Sequence, residues 1–520
     1  MEDRTMNGAE SLVHTLLAND VDVCFANPGT SEMHFVSALD RIPGMRCVLG
    51  LFEGVATGAA DGYYRMADKP AATLLHLGPG LANGMANLHN AGKAGSGVVN
   101  IVGDHATHHR ALNAPLTSDI EALARTVSGW VRTSASPALL AGDGAQAIAA
   151  ARRSPGQIAT LILPADAAWG TTQAVPVSAG DHPAQPVPDE TLLAAVHALR
   201  KGGRCALLLG GQAVREEALA TAGRIAAATG CALLSEYNLA RLQRGAGRVR
   251  TLRIPYAVDA AVAMLREFDT LVLVGAAAPV AFFAYPGKPG RLPRPDCRIL
   301  QLAGREHDAP DALARLASAL GADRLAPALV AAAADPGRPT GRLTAEGIAR
   351  VLAASLPADA IVVDESVSTG RGFDAHTAGA APHDWLNIVG GAIGFGLPAA
   401  IGAAVASPGR KVIALEGDGS AAYTMQSLWT MARESLDIKI LVFANRSYQI
   451  LRGELAGVGA ADPGARATDM LTIDRPTMDW AGLARSMGVE AQRVTDLEAL
   501  ALQLRRAIAA EGPYLVEVVL

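Results

Sequence analysis

A carboxylate and an amide near the end of the chain have the chemistry of a magnesium site. Asp418 lies in the turn Gly417-Asp418-Gly419-Ser420, and Asn445 follows a short apolar run. Carboxylate and amide oxygens are hard ligands that suit Mg²⁺ better than a soft metal. The two glycines let backbone N–H groups approach an anion where a helix begins. These residue types together predict a Mg²⁺–diphosphate site.

The segments around these residues predict that the two oxygens meet at one edge of a sheet. Residues 412–415 and 440–443 are apolar and predict two strands. The helix between them is indicated by apolar residues at the spacing of one buried face, at Met425, Leu428, Trp429 and Ala432. The carboxyl ends of parallel strands are adjacent, and ligands bind there. An ordinary strand, turn and helix without a ligand is the alternative for the glycine turn taken alone.

The composition bounds the class of protein. Of 520 residues, 50% are hydrophobic and 18% are charged, so we expect about three domains with large cores. The net charge of -5 and the pI near 6.2 favour neither nucleic acid nor an anionic membrane as a partner. The five cysteines show no CxxC spacing, which indicates neither zinc nor disulfides. Without a signal-peptide pattern or a long apolar run, we expect a cytoplasmic protein.

Strand and helix patterns alternate along the whole chain and predict an α/β fold with doubly wound parallel sheets. We expect a first domain at residues 1–170, a central domain at 190–325 and a third domain at 343–520. Connectors rich in Pro, Ala and Gly separate them. The central domain carries no GxGxxG fingerprint, so we expect it to bind no cofactor.

Glu53 is a candidate for acid–base chemistry in the first domain. It stands among apolar neighbours, Leu51-Phe52-Glu53-Gly54-Val55, just before a probable helix. Desolvation pushes a carboxyl towards its protonated form. An ordinary glutamate in the first turn of a helix is the alternative.

These motifs resemble those of thiamine diphosphate (ThDP) enzymes. The GDG turn followed by Asn445 is similar to their diphosphate motif. NPGTSE at 27–32, FEGVATGAADGYYR at 52–65 and HLGPGLANGMANLHNA at 76–91 resemble the pyrimidine-binding domain of the acetolactate synthase and benzoylformate decarboxylase superfamily. The resemblance spans essentially the whole chain and implies pyrimidine-binding, central and diphosphate-binding domains.

The resemblance implies catalytic roles for Glu53 and His76. Glu53 falls on the glutamate that sets the tautomer of the aminopyrimidine, from which the ylid nucleophile forms. His76 falls on a histidine that relays a proton beside the reacting carbon. Asn83 is expected near the pyrimidine, and Thr30 near the substrate carboxylate.

Two further positions of the first domain are expected in the substrate pocket. His108 and His109 resemble the paired histidines of pyruvate decarboxylases. The register along the motif instead places the family's active-site pair at Pro115 and Leu116, so these two are expected to line the pocket. A surface or interface role is expected for the histidines.

In the third domain the resemblance implies three metal ligands, namely Asp418, the Asn445 side chain and the Ser447 carbonyl. It also implies that Ile393 wedges between the two rings of the cofactor. The other expected cofactor contacts are Ser368, Gly417, Gly419, Ser420 and Tyr448. The remaining expected pocket residues are Ile450, Leu451 and Glu454.

The sequence also departs from the family pattern. Ala444 replaces the first of two consecutive asparagines. Residues 275–284 lack the second active-site histidine of benzoylformate decarboxylases, and Phe282 and Phe283 are the candidates to replace it. Glu454 adds a negative charge near the expected entrance, and residues 453–467, rich in Gly and Ala, are expected to form a mobile lid.

The resemblance therefore implies a ThDP- and Mg²⁺-dependent enzyme that acts on a small-molecule 2-oxo acid. Loss of CO₂ gives an enamine, which is either protonated, as in benzoylformate decarboxylase, or carboligated, as in acetolactate synthase. Because two subunits share each cofactor in this family, we expect a homodimer at minimum and a homotetramer as the assembly. Cleavage of a 2-hydroxyacyl-CoA and a non-catalytic assembly subunit are the alternatives.

Overall fold

The structure is a computed structural model that describes residues 6–173, 175–180, 182–460 and 462–520. The expected first domain begins at residue 1, and its residues 1–5 lie outside the described part. Its strands are β1 (Met6–Asn7), β2 (Val23–Asn27), β3 (Arg46–Leu49), β4 (Ala71–Leu75), β5 (Val98–Asp104), β6 (Trp130–Thr133), β7 (Ile158–Pro164) and β8 (Thr171–Thr172). Its helices are α1 (Gly8–Ala18), α2 (Met33–Arg41), α3 (Glu53–Ala67), α4 (Leu77–Ala94), α5 (Ile120–Arg125), α6 (Leu140–Ala151) and α7 (Ala165–Trp169).

The central region contains the helices α8 (Asp189–Arg200), α9 (Glu216–Thr229), α10 (Val258–Leu265) and α11 (Ala309–Leu320). Its strands are β9 (Cys205–Leu209), β10 (Ala232–Ser235), β11 (Leu242–Arg244), β12 (Leu252–Arg253), β13 (Thr270–Val274) and β14 (Arg298–Ala303).

The strands of the third region are β15 (Ala360–Glu365), β16 (His383–Asn387), β17 (Val412–Gly417), β18 (Ile438–Ala444), β19 (Glu490–Val494) and β20 (Tyr514–Val519). Its helices are α12 (Ala345–Ser355), α13 (Phe373–His376), α14 (Gly396–Ala406), α15 (Asp418–Ala421), α16 (Ser427–Arg433), α17 (Gln449–Gly457), α18 (Ala465–Met470), α19 (Trp480–Ser486) and α20 (Leu497–Ala509). Short 3₁₀ turns lie at Thr30–Glu32, Arg110–Leu112, Pro137–Leu139, Gly211–Val214 and Thr369–Gly372.

Of the three main sheets, the first and the third share one strand order, apart from the added β11, and the central sheet has a different one. The first has the order β3-β2-β4-β5-β7-β6, the central one β12-β10-β9-β13-β14, and the third β11-β16-β15-β17-β18-β20-β19. In the first and third sheets, β2 and β15 each lie between the next two strands along the chain, whereas in the central sheet β9 lies between β10 and β13. The strand order therefore reverses between β2 and β4, between β9 and β13, and between β15 and β17. Such switch points leave a crevice at the carboxyl ends of the strands.

The alternation of strands and helices expected from the sequence is confirmed. The prediction of a single helix after the GDG turn is wrong. The structure has the short α15 and then α16, and Met425 precedes α16. Between the two helices, Thr424 Oγ1 donates to the carbonyl of Gly394 (3.1 Å). This contact ties the turn to a distant loop.

One strand joins a sheet other than the expected one. Residues 242–244 lie inside the expected central domain, yet β11 pairs antiparallel with β16 at the edge of the third sheet. Two ion pairs hold β11 at this edge. Arg241 Nε lies 2.6 Å from Asp384, and Arg244 Nη1 lies 2.9 Å from Asp374. Sequence periodicity contains no information about which sheet a short strand joins.

Helices α3 and α14 cross closely and join the first region to the third. A Cβ added at Gly62 would lie 2.1 Å from the carbonyl of Ala399, and one at Gly402 would lie 1.9 Å from that of Ala59. Only glycine permits this approach of the two backbones. The buried guanidinium of Arg65 donates to Asn387 O (2.7 Å) and so adds a polar tie to the apolar contact.

No described helix is both long and apolar enough to cross a membrane.

The buried His383 of β16 predicts a loss of stability in acid. Burial, together with the positive charge of Arg244, lowers its pKa to about 4. The unfolded chain therefore binds the proton more tightly, and stability falls as the pH drops from about 6.5 towards 4. Between pH 7 and pH 5 this imidazole should cost about 2 kcal/mol of unfolding free energy.

Urea unfolding at several pH values measures this cost. His383→Gln should flatten the pH dependence by that amount, while the exposed His197→Gln of α8 should leave it unchanged. An identical slope for wild type and His383→Gln would contradict the assignment.

Candidate functional site

Glu53 is the first residue of α3 and is buried, with 8% of its surface exposed. Asn83 Nδ2 of α4 donates to its Oε2 (3.0 Å). A Cβ added at Gly80 would lie 3.0 Å from the other oxygen, Oε1. One oxygen of Glu53 thus has a protein donor, and the other faces the glycine-lined start of α4. This arrangement suits a carboxyl that shares a proton with a ligand.

His76 follows β4 and pairs with Glu32, a contact that the sequence did not predict. His76 Nδ1 lies 2.8 Å from Glu32 Oε2, and the same oxygen accepts from Gly29 N (2.7 Å). Glu32 is fully buried, and burial raises its pKa. A Cβ added at Gly103 would lie 1.6 Å from Glu32 Oε1, so glycine at the end of β5 makes room for the carboxyl. Glu32 fixes the orientation of the His76 ring at the switch point between β2 and β4.

The other candidates from the first domain lie at the same edge of the sheet and face solvent. Thr30 begins the 3₁₀ turn after β2, and Pro115 and Leu116 lie in the loop between β5 and α5. All three are exposed. The side chain of His108 is 72% exposed and lies 3.9 Å from Asp166. The expected surface position of His108 is thus the one observed.

The third sheet brings the metal-ligand candidates together beside its switch point. Asp418 begins α15 after β17, and Asn445 follows the adjacent β18. Arg446 N donates to Asp418 Oδ2 (2.6 Å), and Ser447 N donates to Asn445 Oδ1 (3.0 Å). Arg446 adopts a φ of 57°, a left-handed conformation that turns the backbone towards Asp418.

The donor set of this cluster fits a hard cation. Burial raises the pKa of Asp418, so its charged form is costly without a positive partner. A carboxylate, an amide oxygen and a backbone carbonyl could hold Mg²⁺ there. Gly419 lies against Tyr448, since an added Cβ would lie 2.6 Å from Tyr448 Cε1. Ser420 is buried one residue further along α15.

The loop that carries Ile393, residues 390–396, lies between β16 and α14 and is held from two sides. From the first domain, Asn90 Nδ2 donates to Ala392 O (2.8 Å), and Asn90 Oδ1 accepts from Ala392 N (3.1 Å). From the third domain, the two oxygens of Glu365 accept from Gly394 N (2.7 Å) and Gly396 N (2.6 Å). The side chain of Ile393 itself is only half-buried.

Glu365 lies beside a second buried carboxyl, that of Glu416. The two residues are paired across β15 and β17, and each is at most 1% exposed. Burial raises the pKa of Glu365 to about 7 and holds the pKa of Glu416 well above its usual range. Two backbone donors favour the charged form of Glu365, so Glu416 is the carboxyl that keeps its proton. Ser368 lies three residues beyond Glu365.

A single asparagine joins the region of Glu53 to the loop of Ile393 within this chain. Asn87 Nδ2 donates both to Gly54 O (2.8 Å), next to Glu53, and to Gly394 O (3.1 Å), next to Ile393. Thr430 Oγ1 of α16 also donates to Leu49 O at the end of β3 (2.9 Å). The acid–base candidate and the loop of Ile393 are therefore fixed relative to each other within this chain.

Comparison with known proteins shows the family of this chain. Residues 6–123 match the family described as "Thiamine pyrophosphate enzyme, N-terminal TPP binding domain", and residues 373–518 match the corresponding C-terminal domain. A protein of Mycobacterium tuberculosis named "Putative acetolactate synthase large subunit IlvX" is 52% identical over 99% of both chains. The chain belongs to the ThDP-dependent enzymes.

Two further relatives extend the comparison. Benzoylformate decarboxylase of Pseudomonas aeruginosa is 29% identical over 95% of both chains. The solved structure of a 4-hydroxybenzoylformate decarboxylase of Rhodococcus jostii RHA1 superposes with a TM-score of 0.86 at 24% identity, over 98% of both chains. At that identity the structural likeness supports the three-domain fold alone. The expected family and fold class are confirmed.

The segment after the metal-ligand candidates contacts the central region of this ThDP enzyme. Glu454 of α17 accepts hydrogen bonds from Tyr285 OH (2.8 Å) and Tyr256 OH (3.2 Å). Ile450 is half-buried and Leu451 is 44% exposed in the same helix. The expected lid, 453–467, overlaps α17 and α18, and its residue 461 lies outside the described residues. Phe282, 45% exposed, packs near Gly391, and Phe283 packs on Phe282.

The central sheet also has a cavity at its switch point, between β9 and β13. It measures about 270 Å³, and its lining includes Gly211, Gly275, Arg215, Arg241 and Arg305. No GxGxxG fingerprint marks this position in the sequence. The expectation that the central domain binds no cofactor stays a prediction.

The tight fit of Glu32 against Gly103 predicts that Gly103→Ala is destabilising. Overpacking of this kind costs about 1–3 kcal/mol, and displacement of Glu32 would also release His76. Gly142→Ala in α6 is the control, because an added Cβ there meets nothing within 4 Å and alanine suits a helix better by about 0.5–1 kcal/mol. Urea unfolding measures the stability of both variants. Equal stability of Gly103→Ala and Gly142→Ala would contradict the prediction.

Proposed function

We propose that this chain is a ThDP- and Mg²⁺-dependent enzyme that decarboxylates a small-molecule 2-oxo acid. The observation that carries the proposal is the oxygen site that Asp418 forms with residues 445–447 at the carboxyl ends of two adjacent strands. The double hydrogen bond of Asn87 additionally holds the start of α3 against the Ile393 loop within one chain.

The residues of the chain take the following roles. Asp418, Asn445 and the Ser447 carbonyl would hold Mg²⁺, while Ser368, Gly417, Gly419 and Ser420 would contact the diphosphate. Ile393, Tyr448 and Asn83 would contact the remainder of the cofactor. When bound, ThDP supplies a carbon nucleophile and accepts the electron pair released by loss of CO₂.

Glu53 and His76 would move the protons. The Glu53 carboxyl would hold a proton against a nitrogen of the pyrimidine ring, through the oxygen that Asn83 leaves free. His76, oriented by Glu32, would give or take a proton on the substrate side. Thr30, Pro115, Leu116, Ile450, Leu451 and Glu454 would line the substrate pocket.

Two outcomes are possible after CO₂ is lost, and they define two candidate activities. The His76–Glu32 pair favours protonation, which releases an aldehyde, as in benzoylformate decarboxylases. The similarity to a protein named as an acetolactate synthase subunit favours addition to a second carbonyl. We propose a homodimer as the smallest active unit and a homotetramer as the assembly, in the cytoplasm.

Glu53→Gln tests the acid–base role. We expect turnover of the best 2-oxo acid to fall by about a hundredfold or more, because an amide cannot exchange the proton. Glu190→Gln is the matched control, since Glu190 also lies in the first turn of a helix but is exposed. CO₂ release under saturating ThDP and Mg²⁺ is the measurement. Unchanged turnover in Glu53→Gln would mean that Glu53 is an ordinary helix-start glutamate.

Asp418→Ala tests the metal site by binding alone. We expect the affinity for ThDP in the presence of Mg²⁺ to fall at least tenfold, since the variant loses the one charged ligand. The control is Asp335→Ala, which removes an exposed carboxylate that likewise accepts a backbone N–H, from Gly337 (2.8 Å). Calorimetric titration that finds wild-type affinity in Asp418→Ala would refute the metal assignment.

A further inference from the structure

We propose that Glu365 is a positioning residue that fixes Ile393 against the cofactor, with Asn90 holding the same loop from the opposite side. This inference rests on the proposed function, because it takes Ile393 to be the residue under the bound ThDP. It adds residues that touch neither substrate nor metal in the proposal, and that act through the backbone on either side of Ile393.

The hydrogen bonds on the two sides of Ile393 carry the inference. Ala392, immediately before it, gives both its N–H and its carbonyl to Asn90. Gly394, immediately after it, donates its N–H to Glu365, and its carbonyl accepts from Asn87 and Thr424. Both peptide neighbours of Ile393 are therefore fully hydrogen-bonded, while its own side chain is only half-buried.

The carboxyl group of Glu365 is suited to this task by its geometry. Its two oxygens accept from Gly394 N and Gly396 N, so one side chain spans the residue that separates them. Gly394 has a φ of 92°, a left-handed conformation that an external hydrogen bond helps to hold. Hydrogen bonds to an ionised acceptor are stronger than those between neutral groups.

Glu416 supports the clamp from the next strand. A Cβ added at Gly396 would lie 2.0 Å from Glu416 Oε1, so this carboxyl closes the space under the start of α14. Neither oxygen of Glu416 accepts a hydrogen bond from a donor in the described part of the chain. The carboxyl of Glu365 lies next to it, on the paired strand β15.

The burial of two acids at one point is costly, and the fold alone does not require it. Apolar side chains fill the interior positions of both strands, Val362 and Val363 in β15 and Ala414 and Leu415 in β17. The acids stand only at the carboxyl ends, where the strand order reverses and the loop of Ile393 passes. The position of these two acids in the sheet therefore indicates that they serve the candidate site.

Binding of ThDP in the presence of Mg²⁺, measured by calorimetry, tests the inference. In Glu365→Gln one carboxylate oxygen is replaced by an NH₂ group, which cannot accept a hydrogen bond. The variant therefore loses one of the two bonds from Gly394 N and Gly396 N. We expect the affinity to fall about tenfold. Asn90→Ala, which leaves the sheet intact, should weaken binding by a similar factor and carries the test if Glu365→Gln does not fold.

Glu517→Gln is the matched control. Glu517 is a buried glutamate of β20 in the same sheet, and it also accepts a backbone N–H, from Ala481 (3.1 Å). In the sheet, β18 separates β20 from β17 and β15, which carry Glu416 and Glu365. We expect this variant to change stability but to bind ThDP as tightly as wild type.

A double-mutant cycle separates positioning from general damage. If Glu365 acts through Ile393, Glu365→Gln should cost little further affinity in an Ile393→Ala background. The same tenfold loss in both backgrounds, or wild-type affinity in both Glu365→Gln and Asn90→Ala, would overturn the inference while the proposed function stands. A wild type that does not bind ThDP with Mg²⁺ would overturn both.

Discussion

The close crossing of α3 and α14 is the constraint on which the rest of the site depends. Glycines at 62 and 402 bring the two backbones into contact, and each helix begins at one half of the site. Glu53 starts α3, and the loop of Ile393 leads into α14. Because a helix is stiff along its axis, contact along the helices fixes their starts as well. The bonds of Asn87 then lock the two starts together.

Buried carboxyls cluster where strand order reverses, and three of them accept hydrogen bonds from defined donors. Glu32 is held by His76 and Gly29 N, Glu365 by two glycine N–H groups, and Asp418 by the N–H groups of Gly419 and Arg446. Burying such groups is costly, and they concentrate at functional sites. The first and third sheets share one strand order, and these buried acids lie in or next to those two sheets. That distribution agrees with cofactor-binding domains at the two ends of the chain.

The sequence predicted the fold and the chemistry of single residues better than it predicted their partners. Apolar runs located the strands, and the polar residues at their ends identified Asp418 and Asn445 as candidates, while the family resemblance identified His76. Glu32 was missed, because it pairs with His76 across 44 residues and only its place in NPGTSE could have drawn attention to it. Asn87 and Asn90 were also missed, since they act on a loop about 300 positions away. Strand β11 joined the third sheet through contacts that no local pattern encodes.

Decarboxylation of a 2-oxo acid with the help of ThDP and Mg²⁺ is the activity that we propose for this chain. The most direct measurement is CO₂ release from a panel of 2-oxo acids, aliphatic and aromatic, with both cofactors, with each alone and with a metal chelator. We expect release from at least one acid only when ThDP and Mg²⁺ are both present. Release that is independent of ThDP, or no release from any acid by protein that binds ThDP, would contradict it.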